Sequence, residues 1–324
     1  MNVVERVIRK LDRAQQRRRR LGFVVGVIKK FGDDRCSALA VMLTYYAFVS
    51  IFPLLLVLTT ILGFVGNESL SRNVIGTTLQ QFPVFGQQIG KDAAHPLSGN
   101  GFGLIVGLLG TFYGSLGFAQ AAQHAMAEVW NVPGVRRSGF FPRLARSVIL
   151  FTVLGIGLAA ATVVSSLVTL AGQPGVTRVL AFLGAVVLNV GLYLAAFRIL
   201  TPKVIEVKRL VPGAVVGGVG YSILLTVGAA LIQHQLRHSE ALYGQFAFVL
   251  GLIGWLLLVS QLSLYAAETN VVLARRLWPR SIVQPPLTDA DERVLSDIAQ
   301  EQWRRPEQRV DVGFDRSESK MPQL

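Results

Sequence analysis

Hydrophobic residues in this chain come in long runs almost free of charge, not in short alternating patterns. Lys and Arg are absent from 36 to 71, 92 to 135, 147 to 177, 179 to 197, 210 to 236 and 238 to 274. Each interval can hold a helix of the roughly 20 residues needed to cross a bilayer. The pattern predicts six spans, at about 38 to 66, 102 to 124, 147 to 171, 178 to 200, 211 to 233 and 245 to 273. All are read as helices, because a lone segment in lipid must satisfy its own backbone hydrogen bonds. The expected fold class is all-α, a polytopic membrane helical bundle.

The flanks divide the chain into three parts. Residues 1–37 are mostly polar and basic, 38–275 form the transmembrane domain, and 276–324 form a tail. The first apolar run is longer than a signal-peptide core of about 7 to 15 residues, so it is read as a retained span. One long loop, about 67–101, carries Gly, Pro and amphipathic pieces such as Val74, Ile75, Leu79 and Phe82, which predict short surface helices. In the tail, Pro279, Pro285 and Pro286 are followed by a capping-like Thr288 to Asp291 and the apolar pattern Val294, Leu295, Ile298. That pattern predicts one small surface helix. Beyond Pro306 the polar composition predicts disorder.

Composition agrees with a membrane protein: 52% of the 324 residues are hydrophobic and 16% charged, against about 25% charged in a soluble domain. The formal net charge of +13 raises the question of nucleic acid, and its placement answers it. Eleven Lys or Arg lie in the first 38 residues, including the run Arg17 to Arg20, beside an apolar face of Val3, Val4, Val7, Ile8 and Leu11. Such a basic amphipathic segment next to a span suits an anionic inner leaflet. No aromatic residues interleave it as base stacking would require, so no nucleic-acid partner is expected. The junctions 136–146 (Arg136, Arg137, Arg143, Arg146) and 198–209 (Arg198, Lys203, Lys208, Arg209) are basic, and the intervening loops carry only Arg72 and Lys91, then Arg178, then Arg237. By the positive-inside rule both termini are expected in the cytoplasm.

Within the spans, small and polar residues fall on faces. Gly103, Gly107, Gly110, Gly114 and Gly117 alternate at spacings of four and three, and Gly213, Ala214, Gly217 and Gly218 form two small-xxx-small pairs. Both are expected to be helix-packing faces. Gly251, Gly254, Leu258, Gln261, Tyr265 and Glu268 share one face of the last span. A bare carboxylate there costs about 2.5 to 3.5 kcal/mol on insertion scales, so Glu268 needs a partner or water. The readings left open for it are an element of a polar path and a structural bond to Arg275, Arg276 or a loop. Tyr45 and Tyr46 precede Pro53, a proline expected to kink the first span.

Signals for catalysis are weak. Cys36 is the single cysteine, so no intrachain disulfide and no cysteine-based metal site is expected. His234 and His238 stand four apart with no HExxH around them, His95 and His124 are isolated, and Walker A, GxGxxG and GxSxG motifs are absent. Glu128 and Glu268 alone do not specify a hydrolytic centre. The expectation is no enzyme, no metal and no cofactor.

Four stretches then carry a resemblance. They are Ala38-Leu39-Ala40 through Leu43-Thr44-Tyr45-Tyr46-Ala47-Phe48-Val49-Ser50-Ile51-Phe52-Pro53-Leu54-Leu55, Ala125 to Val132 with Trp130, Leu210-Val211-Pro212-Gly213-Ala214, and Tyr243-Gly244 through Trp255 to Ala266-Ala267-Glu268-Thr269-Asn270. Over about residues 30 to 275 the chain resembles the YihY/BrkB family of bacterial inner-membrane proteins. Phe31-Gly32-Asp33-Asp34-Arg35 behind a basic extension resembles the YhjD-type branch. The last stretch has Ala266 where the family pattern has Gly. The resemblance implies a six-span bundle in the bacterial cytoplasmic membrane linked to envelope integrity. The family's former label, ribonuclease BN, finds no clustered His and Asp ligands here.

The working expectation is a non-enzymatic protein that binds or translocates an amphipathic lipid without its own ATPase. The expected polar path or lipid contact is Tyr45, Tyr46, Pro53, Gln261, Tyr265, Glu268 and Asn270. Membrane lipids are the expected partners. The alternatives are a scaffold for envelope assembly proteins and a small-solute or ion channel.

Overall fold

A computed structural model describes residues 9, 12–65, 101–170, 176–202, 204–243, 245–284 and 286–314. The loop at 67–100 with its amphipathic pieces, the side chains of His234 and His238, and Val3, Val4, Val7, Ile8 and Leu11 lie outside the described residues. Among the described residues the main helices are α1 (Arg19–Asp33), α2 (Cys36–Val65), α3 (Gly101–Val129), α4 (Phe140–Leu170), α5 (Val176–Leu200), α6 (Val211–Tyr243), α7 (Gln245–Arg275) and α8 (Asp289–Glu301). No strand occurs among the described residues. Segments long and apolar enough to cross a membrane lie in four of them, Phe140–Gly157, Phe182–Leu200, Val211–Gly228 and Val249–Arg275, and Cys36–Ile51 is a shorter apolar stretch.

The helices pack as an antiparallel bundle in which α2 lies against α3 and α7, and α6 against α5 and α7. Small residues make the close packing: Cys36, Ala40, Ala119, Ala122, Ala125, Ala214, Ala266 and Ala267 are all buried in one core with Leu43, Leu264 and Val271. A smaller cluster, Ile51 with Leu252, Trp255 and Leu256, continues the seam between α2 and α7. The outer faces are the reverse of a soluble protein's. Leu109 (66%), Ile156 (65%) and Val187 (71%) are exposed, as are many of their neighbours, and such continuous apolar surface is stable only in lipid.

One end of the bundle gathers the charge, since it holds α1, the C-terminal ends of α3, α5 and α7, and the start of α4 and α6. Chain reversals there are tight. Asn131 and Arg276 adopt left-handed backbone (φ 44° and 54°), and the N–H groups of Val132 and Leu277 bond back to the carbonyls of Ala127 and Val272. These are Schellman endings of α3 and α7. The tail is folded onto this basic end. Thr288 and Asp291 close a capping box at the start of α8, where the sequence predicted a helix, and Val294 is fully buried.

Candidate functional site

The residues expected to form a polar path separate into different environments. Gly254 and Leu258 are exposed, and a side chain at Gly254 would meet open space. Gln261, next on the same stripe of α7, is half-buried and has no polar partner among the described residues. Tyr265 stacks on Phe31 of α1, with ring centroids 3.9 Å apart. Glu268 is fully buried. Asn270 accepts a 2.6 Å hydrogen bond from the Gly213 N–H, so it satisfies one of the unpaired donors at the start of α6. Tyr45 is 61% exposed and makes an edge contact with Tyr46. Pro53 is helical, and its surroundings lie outside the described residues.

The glycine faces meet aromatic rings and backbone. A Cβ on Gly114 would stand 2.9 Å from the Ser50 Cα, and one on Gly117 would stand 2.6 Å from the Tyr46 ring. One on Gly217 would meet the Tyr193 ring, and one on Gly213 would overlap the Ala266 carbonyl oxygen and the Asn270 amide. Gly110 is half-buried in α3. The surroundings of Gly103 and Gly107 lie outside the described residues.

Glu268 finds its partners across the chain, not in Arg275 or Arg276. The Cys36 thiol donates to Oε1 at 3.2 Å, and the Lys30 ammonium lies 4.0 Å from Oε2. Lys30 is itself fully buried, ion-paired with Asp34. Burial pushes the Asp34 carboxyl above its usual range even though Lys30 pulls it down. One ammonium thus serves two carboxyl groups in the interior. Arg275 turns elsewhere, to Asp297 of α8 and the Trp130 carbonyl.

A second buried ion centre fastens the tail. Arg280 is 1% exposed. Its Nε donates to Asp291 at 2.7 Å, and its Nη1 lies 2.8 Å from Asp33 of α1. Asp291 also accepts from Lys29, the Ser281 N–H and Thr288. Burial would raise the Asp291 carboxyl, but these donors hold it well below the usual range. The neighbouring Asp12 accepts from the Ile282 N–H, so the segment before α1 and the segment after α7 meet here.

The far end of α8 reaches the α3–α4 turn. Arg137 donates to Glu301 at 2.7 Å and to Glu128 at 2.9 Å, and Asn131 donates to Glu301 at 3.1 Å. A single guanidinium faces two carboxyl groups here, an arrangement that favours a proton on one of them. Burial and the neighbouring Glu128 push Glu301 up to about 8. Burial also works against ionised Glu128, but bonds from Glu301 and Arg137 hold it below its usual range. With the folded pKa of Glu301 raised, the native chain holds an extra proton from the ordinary carboxylate range up to about 8, so stability falls as pH rises through that window. Thermal unfolding between about pH 5 and about pH 8 is expected to show this decline. Glu301→Gln, whose amide stands in for the protonated acid, is expected to flatten it; an unchanged slope in that variant would count against the shared proton.

Beside Arg137 lies an open cavity of about 310 Å³, lined by Gln120, Gln123, His124, Arg136, Arg137, Ser138, Arg143, Arg146 and the apolar Ala127, Val132, Leu200 and Pro202. Gln123 braces it by donating to the Arg143 carbonyl and to Ser147, both at 3.1 Å. Phe140 and Phe141, 62% and 80% exposed, open α4 just after the lining residue Ser138 in sequence. Among the described residues no group of three His, Cys, Asp or Glu is arranged to hold a metal.

Long apolar helices, lipid-facing outer surfaces and a charged end define an α-helical membrane protein. The chain belongs to the virulence factor BrkB family, whose model matches residues 27–287. No curated protein and no solved structure gives a significant match.

Proposed function

We propose that this is a six-span protein of the bacterial cytoplasmic membrane, with its basic end, N-terminus and tail in the cytoplasm, that binds and translocates an amphipathic lipid. The observation that carries the reading is the stripe on α7: exposed Gly254 and Leu258 lead to the half-buried Gln261, which has no polar partner among the described residues. An amide left without a partner in a membrane helix is costly unless a polar ligand or water meets it. A lipid lying along that stripe supplies both an apolar chain for Gly254 and Leu258 and a polar group for Gln261. Tyr45, Tyr46, Pro53 and Tyr265 are the further proposed contacts, whereas Glu268 and Asn270 serve this path through the packing of α7. The protein is read as no enzyme, and movement of lipid is driven by a gradient, a partner or the lipid's own equilibrium.

The test is translocation of a fluorescent phospholipid in proteoliposomes. The wild type is expected to accelerate it, and Gln261→Leu to slow it by about three- to tenfold, the worth of one hydrogen bond within a membrane. A wild type no faster than protein-free liposomes would end the transport reading and favour the scaffold alternative, for which the folded cap of α1, α8 and the tail is the natural docking surface.

A further inference from the structure

We infer that the cavity between the ends of α3, α4 and α5 is a binding site for a phosphate group of high charge, a phosphomonoester or diphosphate. Four arginines within eleven residues of sequence line one space of about 310 Å³, at the low end of the size of small-molecule sites. Among the described residues, only one of the four is paired with a carboxylate. Arg137 is held by Glu128 and Glu301. The Arg143 guanidinium donates only to the Ser138 carbonyl. Arg136 rests against the Trp303 ring, and Arg146 has no polar partner among the described residues. Three uncompensated guanidinium groups repel one another around a space that apolar and amide side chains partly enclose, which favours an anion inside.

The chemistry selects among anions. Guanidinium forks match phosphate oxygens two at a time, and a phosphomonoester carries about −1.5 to −2 at neutral pH. That suits three free cations better than the single charge of a phosphodiester. Ser138 lines the cavity two residues before α4 begins, so the positive end of that helix dipole adds to the field. Exposed Phe140 and Phe141 on the first turn of α4 offer an apolar surface that acyl chains would cover. A lipid headgroup as the source rests on the membrane orientation proposed above, whereas the phosphate chemistry does not.

The experiment uses the full chain in phosphatidylcholine nanodiscs with and without phosphatidic acid, read by native mass spectrometry of retained lipid. Preferential retention of phosphatidic acid is expected. Arg143→Gln and Arg146→Gln should each weaken it by about ten- to a hundredfold, the value of a charge-assisted hydrogen bond. Arg143→Lys, which keeps the charge and loses the fork, should fall between, and Arg293→Gln, on the exposed side of α8, should behave as wild type. Inorganic pyrophosphate, added to both kinds of disc, is the second probe. Binding of pyrophosphate that displaces the lipid and is lost in the same variants identifies a soluble phosphate as the source; retention of phosphatidic acid despite pyrophosphate identifies the headgroup. A wild type without preference for either probe overturns the site even if the variants fail to fold, and so do Gln variants that fold and bind as wild type. Headgroup binding that persists while lipid translocation is absent keeps this site and removes transport.

Discussion

Replacing Lys30 by Met is expected to destabilise the folded protein by about 3–5 kcal/mol, because it strips the one close cation among the described residues from two buried carboxyl groups. Asp34 pairs with Lys30 and Glu268 stands 4.0 Å from it, and both side chains are almost wholly buried. Thermal unfolding in detergent should show the loss as a large drop in Tm. The variant Glu268→Gln alone should cost much less, since an amide oxygen still accepts from Cys36. Combined with Lys30→Met it should recover part of the loss, because one fewer carboxyl group remains uncompensated. A Lys30→Met protein with a wild-type Tm would show that water reaches this pocket and that the pair is not what holds α1 against α7.

Arg280→Met is expected to have a comparable effect, about 3–5 kcal/mol on the docking of the tail, with a different signature. Arg280 bonds Asp291 of α8 and Asp33 of α1, so its loss leaves Asp291 buried with Lys29 as its remaining cation and loosens the tail from the N-terminal helix. Limited proteolysis should then cut around residues 282–288 well before the bundle unfolds, while lipid-embedded helices stay protected. Cleavage at the wild-type rate would mean that the buried face of α8 around Val294 suffices to hold the tail without the ion pair.

These two centres show where reading along the chain stops. Glu268 stood out in the sequence as a carboxylate needing a partner, and the nearby Arg275 and Arg276 were the natural candidates. The actual partners are Cys36, 232 residues away, whose thiol donates to it, and the ammonium of Lys30, 4.0 Å off, from the basic segment that the sequence suits to an anionic leaflet. Nothing local distinguishes Lys30 from Lys29, yet one is wholly buried and the other half-buried, because they sit 100° apart on α1. Asp291 was legible as part of a capping motif but not as the acceptor for Arg280. The arginines at 136–146 were legible as an orientation signal, and only the fold turns them toward one cavity with Gln120, Gln123 and His124.

What the amino-acid sequence determines by itself is the class of the molecule: long uncharged apolar runs suit membrane helices, since a single such run in lipid must satisfy its backbone within itself. Helix faces are determined too, because the period of 3.6 aligns Gly114 with Gly117 and Gln261 with Tyr265 whatever lies opposite. The tertiary structure decides what lies opposite. Whether a buried charge is paired, whether an amide such as Gln261 is left open, and whether four arginines converge depend on contacts between residues far apart in sequence. Those contacts are set by the packing of α1, α7 and α8 for the buried charges and of α3, α4 and α5 for the arginines.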